Sequence, residues 1–120
     1  MKFIQSMVKY EGDAMSGWLL CPNCNGNNLH HTWIREYIRE NGAEDGETCV
    51  TQLLNGKVTD VWEDRHRNPS SRRDGIRIGM YCECCSDHIE LVISQHKGCT
   101  ELRMEHLPDG LAVARLVTGQ

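Results

Sequence analysis

The chain has 120 residues, of which 39% are hydrophobic and 6% aromatic, and its formal net charge at pH 7 is −4. A folded chain of this length buries roughly two-thirds of its unfolded surface, so we expect one domain with a modest core over residues 1–120. The acidic total argues against a general nucleic-acid coat, whose phosphate contacts are made mainly by Lys and Arg. We expect no signal peptide and no membrane span, so the seven cysteines predict a cytoplasmic protein that holds thiols as metal ligands.

The N-terminal segment, residues 1–20, predicts a strand over Phe3–Tyr10 and then a loop that contains glycine. It leads into Cys21-Pro22-Asn23-Cys24, in which two thiolates are presented from one tight Cys-x-x-Cys turn. Such a turn is half of a tetrahedral four-cysteine metal site.

Residues 29–39, which leave this turn, fit two patterns. Trp33, Ile34, Tyr37 and Ile38 fall at helical spacing, whereas the same segment also alternates in the manner of a strand. The chain that leaves a zinc knuckle usually enters a strand, and we therefore favour a strand while a helix stays open.

The dipeptide Asn55-Gly56 is a strong hairpin signal, because both residues tolerate the positive φ angles of a two-residue type I′ turn. It joins the predicted strands Thr48–Leu54 and Lys57–Glu63. Pairing across the turn places four side chains on one face of the hairpin: Cys49, Leu53, Val58 and Trp62. This interpretation makes Cys49 a small buried hydrophobic residue rather than a ligand.

Charge is unevenly distributed along the chain. Residues 36–47 form an acidic segment with five carboxylates against one arginine, whereas residues 65–77 carry five arginines. Residues 65–74 are called the arginine loop below, and four of its side chains are the candidate partner-binding residues: Arg65, Arg67, Arg72 and Arg73. A solvated loop without a partner is the other interpretation.

A second predicted hairpin brackets the second cysteine group, Cys82-Glu83-Cys84-Cys85. Apolar residues alternate with period two on both sides of it. These residues are Ile76, Ile78 and Met80 before the group, and Ile89, Leu91 and Ile93 after it.

The segment 95–98 predicts a turn into a strand over residues 100–106. In that strand Leu102 and Met104 should point inward, while Cys99 falls on the outward, polar side. The run Pro108-Asp109-Gly110 predicts another turn, and residues 107–120 are expected to form an edge strand or a tail.

We predict that Cys21, Cys24, Cys82 and Cys85 bind one structural zinc ion. Cys82 and Cys85 repeat the spacing of the first pair, which leaves Cys84 without a role in the metal site. The stretch between Cys24 and Cys82, residues 25–81, is longer than the gap of a compact ribbon. Its closure costs only about 1 kcal/mol more, whereas zinc-finger sites recover on the order of 10 kcal/mol.

The chain resembles a group of short zinc-ribbon proteins encoded in bacterial and bacteriophage genomes, mostly of unassigned function. Four motifs carry the resemblance, which covers roughly residues 20–105: Cys21–Cys24, Asn68–Gly75, Tyr81–Cys85 and Gln95–Gly98. In that group the position of Cys84 is usually glycine, which supports Cys82 and Cys85 as ligands. The resemblance implies a metal-stabilised fold and supplies no reaction.

The fold class predicted is therefore mainly β, with a small α+β fold also open. The zinc-ribbon body spans residues 21–106, with a long insertion over residues 42–75 that contains the first hairpin. Four cysteines close the zinc shell, whereas a catalytic zinc keeps one position open for water, so we expect no enzyme. A second metal held by the six scattered histidines is not favoured.

Two binding functions remain. The favoured one is a phage-type adaptor or inhibitor that docks on a bacterial protein or a nucleic-acid-processing machine. Its recognition surface would be the insertion hairpin, the acidic segment and the arginine loop. The alternative is nucleic-acid binding, with the basic stretch Arg65–Arg77 on phosphates and Trp33, Trp62 or Tyr81 stacked on bases.

Overall fold

The computed structural model describes residues 5–6, 8–13, 17–39, 48–54, 56–63, 67–71 and 73–106. All of the regular secondary structure within these ranges is β-strand, which confirms the mainly β prediction. The strands are β1 (Gln5–Ser6), β2 (Lys9–Gly12), β3 (Gly17–Leu20), β4 (Leu29–Arg39), β5 (Thr48–Leu54), β6 (Lys57–Glu63), β7 (Gly75–Cys82), β8 (His88–His96) and β9 (Cys99–His106). Residues 29–39 thus form a strand and not a helix. The described part of the chain contains no helix with the length and apolarity needed to cross a bilayer.

Seven strands form one antiparallel sheet in the order β1-β9-β8-β7-β4-β5-β6, and β2 and β3 form a separate two-stranded sheet. The central pair of the large sheet is β4 with β7, which joins the two halves of the sequence. Its register places Leu29, at the start of β4, opposite Cys82, at the end of β7. Both cysteine turns therefore lie at the same end of the sheet.

The hairpin of β5 and β6 has the predicted bounds, and Gly56 in its turn has a φ of 78°. The predicted face is correct for Cys49, Leu53 and Val58 but wrong for Trp62, because the register shifts between Gln52 and Leu53, so that Cys49 lies opposite Glu63 and not opposite Trp62. The side chain of Trp62 lies outside the described residues.

The solvent exposure of the side chains on this face also differs from the prediction. Leu53 is 39% exposed and Val58 is 65% exposed, whereas Cys49 is half-buried. Val50 and Gln52, on the other face of β5, are fully buried. The side of β5 that carries Val50 and Gln52 therefore faces the core, and the side that carries Leu53 does not.

The large sheet has two chemically distinct faces, because residues paired across strands point to the same side. The buried side, called the polar face here, carries Trp33, Arg35, Tyr37, Val50, Gln52, Arg77, Glu90, Val92 and Ser94.

The opposite side, called the isoleucine face, carries half-buried aliphatic residues and several exposed ones: Ile34, Ile38, Leu53, Val58, Ile76, Ile78, Leu91, Ile93 and Leu102. Met104 on this face is fully buried, as predicted, but Leu102 is 51% exposed, which contradicts its predicted inward position. Cys99 is exposed, in agreement with its predicted outward side. The sheet therefore buries charged residues while much of its aliphatic surface stays accessible.

Ion pairs make burial of the polar face possible. Glu90, 1% exposed, accepts hydrogen bonds from Arg67 Nη2 at 2.9 and 3.1 Å and from Arg77 Nη1 at 3.1 Å. Arg77 also donates to Glu105 Oε1 at 2.8 Å, and its Nε donates to the Arg67 carbonyl at 2.7 Å. Charged groups can be buried at tolerable cost only when they are paired and hydrogen-bonded in this way.

Further along the same face, the guanidinium carbon of Arg35 lies 4.7 Å from the centroid of the Trp33 ring, and Arg35 Nε donates to Gln52 Oε1 at 2.6 Å. Burial lowers the pKa of Arg35 and raises the pKa of Tyr37. Trp33 in turn covers Gly79, where a Cβ would lie 2.2 Å from the indole ring. The arginine, the indole and the glycine therefore form one packed unit.

The N-terminal segment differs from its prediction, whereas the turn between β8 and β9 agrees with it. The strand predicted over Phe3–Tyr10 is instead two strands, because β1 pairs with β9 and β2 pairs with β3. The turn predicted over residues 95–98 is present, with Lys97 and Gly98 at φ angles of 50° and 82°. The acidic residues 40–47 and the C-terminal residues 107–120 lie outside the described residues.

Candidate metal centre

The first cysteine turn is closed by two backbone hydrogen bonds. The Cys21 N–H donates to the Gly26 carbonyl at 2.8 Å, and the Asn25 N–H donates to the Cys21 carbonyl at 2.8 Å. Asn25 has a φ of 62°, a left-handed conformation that asparagine tolerates better than most residues. This geometry curls the chain so that the thiols of Cys21 and Cys24 face the same point.

The second cysteine turn repeats this geometry position by position. The Cys82 N–H donates to the Asp87 carbonyl at 2.9 Å, and the Ser86 N–H donates to the Cys82 carbonyl at 2.9 Å. Ser86, with a φ of 64°, takes the place of Asn25. Cys82 and Cys85 therefore correspond to Cys21 and Cys24, and Cys84 corresponds to Asn23.

The four sulfur atoms converge. The Sγ atoms of Cys21, Cys24, Cys82 and Cys85 all lie within 4.8 Å of one another. Cys21 Sγ is 3.8 Å from Cys85 Sγ, and Cys24 Sγ is 3.6 Å from Cys82 Sγ. Zn–S bonds of about 2.3 Å in a tetrahedron separate the sulfurs by about 3.8 Å. The cluster thus fits a four-coordinate metal ion, and each close contact joins one turn to the other.

The thiols of the cluster need a cation to ionise together. Burial raises the pKa of Cys21 and of Cys82. Burial also acts to raise the pKa of Cys85, but hydrogen bonds from the Asp87 backbone and from Asn23 outweigh it and hold this pKa below its ordinary value. Four thiolates at these distances repel one another, and a divalent metal compensates their charge.

Side chains around the cluster tie the two turns to the rest of the fold. Asn23 Nδ2 lies 3.7 Å from Cys85 Sγ and also donates to the Asp87 carboxylate. His106 Nε2, at the end of β9, lies 3.6 Å from Asp87 Oδ2. Lys9 Nζ in β2 donates to Asn25 Oδ1 at 3.3 Å. The centre is therefore fixed by contacts from both sheets.

Cys84 lies at the edge of the centre and outside the four-sulfur group. It is exposed, and its Sγ lies 3.5 Å from Asn28 Nδ2. A Cβ at Gly26 would lie 2.8 Å from Cys84 Sγ and 3.3 Å from Cys24 Sγ. Gly26 therefore leaves the space in which the two turns approach each other.

The predicted partner-binding arginines do not form one group. Arg67 is held by Glu90, and Arg73 is exposed, whereas Arg65 and Arg72 lie outside the described residues. Glu90 could not be predicted as the partner of Arg67, because only the tertiary arrangement of β7, β8 and the arginine loop brings the two residues together. In the described ranges, the four cysteines are the only group of three or more His, Cys, Asp or Glu residues that could hold a metal.

Comparison of the chain with family models, curated proteins and solved structures gives no match. The resemblance to short zinc-ribbon proteins therefore stays a prediction from the four motifs.

Proposed function

We propose that this protein is a zinc-ribbon module without enzymatic activity that binds a bacterial protein, as a small adaptor or inhibitor of the phage type. The observation that carries the binding function is the exposed aliphatic surface of the insertion hairpin. The zinc ion is the structural support that holds the sheet presenting this surface.

Cys21, Cys24, Cys82 and Cys85 would hold the zinc ion. The zinc ion would form four Zn–S bonds and so join two chain segments that are far apart in the sequence. Because the donor set is four thiolates, the shell has no open position for water or substrate, which supports a structural metal rather than a catalytic one.

The hairpin patch, defined here as Ile34, Leu53 and Val58, supports protein binding. Leu53 and Val58 are exposed aliphatic residues that face each other across β5 and β6, and Ile34 continues the row on β4. A cavity of about 340 Å³ opens beside the patch and is lined by His31, Thr32, Trp33, Ile34, Leu53 and Gly56. Exposed aliphatic residues beside a cavity are typical of a surface that receives an apolar side chain of another protein.

The same structure weighs against the nucleic-acid alternative. Arg67 and Arg77 are engaged by Glu90 and Glu105, so their charge is compensated inside the protein. Trp33 is 2% exposed, so its ring is not accessible to a base. Phosphate contacts need uncompensated Lys and Arg, and base stacking needs an accessible ring.

The test is a pull-down from bacterial lysate, with the captured protein purified and its affinity measured by calorimetry. We expect Val58→Asp to weaken that affinity at least tenfold while zinc content is unchanged. Leu102→Asp is the matched control, because Leu102 is an exposed aliphatic residue on the same face at the opposite side of the sheet. Equal affinity for both variants and wild type refutes the hairpin patch. Tight DNA or RNA binding with a steep salt dependence establishes the alternative instead.

A further inference from the structure

A fifth thiol lies beside the four-cysteine group without belonging to it. Cys84 is exposed, and its Sγ lies 3.5 Å from Asn28 Nδ2. The Glu83 N–H donates to the Asn28 carbonyl at 3.0 Å, which holds the second cysteine turn against the segment that follows the first one. Cys84 is therefore an accessible thiol in a defined position, and the metal centre does not use it.

Cys24 is the thiol of the metal centre that lies across Gly26 from Cys84. A Cβ at Gly26 would lie 2.8 Å from Cys84 Sγ and 3.3 Å from Cys24 Sγ, so both sulfur atoms border the same small space. That space is open because residue 26 has no side chain. Cys24 is also exposed, as Cys84 is, so a small solute can reach both thiols.

The other cysteines are poorer partners for the fifth thiol. Cys85 is its neighbour in sequence, and consecutive Cα atoms lie about 3.8 Å apart, less than the roughly 4.4–6.8 Å that a disulfide usually spans. Cys21 and Cys82 are fully buried. Cys49 and Cys99 lie near the end of the large sheet opposite to the cysteine turns. The geometry therefore favours the pair of Cys24 and Cys84.

We propose that Cys84 and Cys24 form a reversible disulfide when the protein meets hydrogen peroxide, and that this bond releases the metal ion. The inference rests on the metal centre of the proposed function and adds to it a control by oxidation. Exposed thiols next to a second cysteine are the ones that peroxides convert to disulfides most readily.

The reaction has two steps. The Cys84 thiol attacks one oxygen of hydrogen peroxide, so that an S–O bond forms, the O–O bond breaks, and the departing oxygen takes the thiol proton and leaves as water. The Cys24 thiolate then attacks the sulfenic sulfur of Cys84; the S–S bond forms, the S–O bond breaks, and hydroxide leaves and takes a proton from solvent. The two sulfur atoms together supply the two electrons that reduce the peroxide to water.

The disulfide removes one donor from the metal centre. A sulfur atom in a disulfide is no longer a thiolate, and only thiolates bind zinc strongly. Cys21, Cys82 and Cys85 would remain, whereas structural zinc sites have four ligands. Because both thiols of the pair are exposed, a small dithiol can reduce the bond and restore the four-cysteine group.

The test treats the zinc-loaded full chain with hydrogen peroxide, maps disulfides by mass spectrometry and follows zinc release with a chromogenic chelator. We expect a Cys24–Cys84 disulfide that forms on the same time course as zinc release and is reversed by dithiothreitol. Cys84→Ser should slow zinc release by about fivefold or more, because the ligands must then be oxidised directly. Cys99→Ser is the matched control, because Cys99 is an exposed cysteine at the opposite end of β8, and it should behave like wild type.

Three results would overturn the inference. They are zinc release from Cys84→Ser at the wild-type rate, a first disulfide that joins two of the four ligands, and equal slowing by Cys84→Ser and Cys99→Ser. The proposed function fails separately. Untreated protein without zinc refutes its metal centre, and a captured protein that does not need Val58 refutes its hairpin patch, whereas the disulfide map reads the Cys24–Cys84 pair in either case.

Discussion

Replacing Glu90 by glutamine tests whether the buried ion pairs hold the large sheet together. Glu90→Gln keeps the shape of the side chain but removes the charge that faces two guanidinium groups. One of the two carboxylate oxygens is replaced by an NH₂ group, which is a hydrogen-bond donor and would face the N–H donors of the arginines. Arg77 keeps Glu105 as a partner, whereas Arg67 loses its carboxylate.

The expected cost follows from burial. Breaking a buried ion pair from one side costs about 3–5 kcal/mol when the remaining charge stays desolvated, as does that of Arg77, whose side chain is 7% exposed. With a urea slope of about 2 kcal/mol/M, a loss of about 4 kcal/mol lowers the urea midpoint by roughly 2 M. Glu101→Gln is the control, because the side chain of Glu101 is 63% exposed and its pair with Arg103 is worth about 1 kcal/mol at most.

The measurement is equilibrium urea unfolding of zinc-loaded protein at low and high salt. A buried pair is screened little by salt, so the effect of Glu90→Gln should persist at 1 M NaCl, whereas that of Glu101→Gln should vanish. A Glu90→Gln midpoint within 0.5 M of wild type, taken as roughly 1 kcal/mol at this slope, would refute the reasoning that this carboxylate anchors the polar face.

Three further predictions concern the metal centre and the edge of the polar face. Cys82→Ser should lower zinc stoichiometry and stability together, whereas Cys84→Ser should retain one zinc per chain; metal analysis by mass spectrometry decides, and zinc loss from Cys84→Ser would reassign the second turn. Gly26→Ala should weaken zinc retention against a chelator because its methyl group collides with Cys84 Sγ, and Cys84→Gly in the same chain should restore retention; failure of that rescue means that the collision is not the cause. Glu105→Gln should cost about 1 kcal/mol at pH 7. Burial acts to raise the pKa of Glu105, but the hydrogen bond and charge of Arg77 hold it below its ordinary value of 4.5. The carboxylate therefore stabilises the fold above that value, and the difference from wild type should shrink as pH falls below it; a constant difference from pH 7 to pH 3 would contradict this.

Local sequence signals were sufficient where one short segment determines the structure. The Asn55-Gly56 turn predicted both strands of its hairpin with the correct bounds, and the repeated cysteine spacing selected four thiols that the fold brings together. Both signals depend on backbone geometry within a few residues, which the sequence encodes directly.

Tertiary burial could not be read in the same way. Alternation placed isoleucines and arginines on opposite sides of β7, but hydrophobicity alone assigned the buried side wrongly to Leu53 and Leu102. Arg77 is buried because the arginine loop supplies a backbone carbonyl, while Glu90 supplies the opposite charge from the neighbouring strand. No local pattern reports such a partner. The bulge in β6, between Val58 and Asp60, is not indicated by the sequence either, and it shifts the hairpin register by one residue.

With the proposed zinc binding, the register of β4 against β7 would couple metal supply to folding kinetics. Leu29 and Cys82 pair next to the cysteine turns, so zinc binding would bring this first residue pair of β4 and β7 together before the other residues of the two strands pair. The remaining residues of β4 and β7 could then pair one after another from that point, because the entropic cost of closing the long intervening loop has already been met. In a chain that folds without metal, β4 and β7 would each remain the bare edge of a half-formed sheet. Unpaired edge strands can form hydrogen bonds with strands of other chains and so promote aggregation. If zinc is the ion, as proposed, its concentration during synthesis would then affect how much of the protein folds and how much aggregates, even at temperatures where the finished protein is stable.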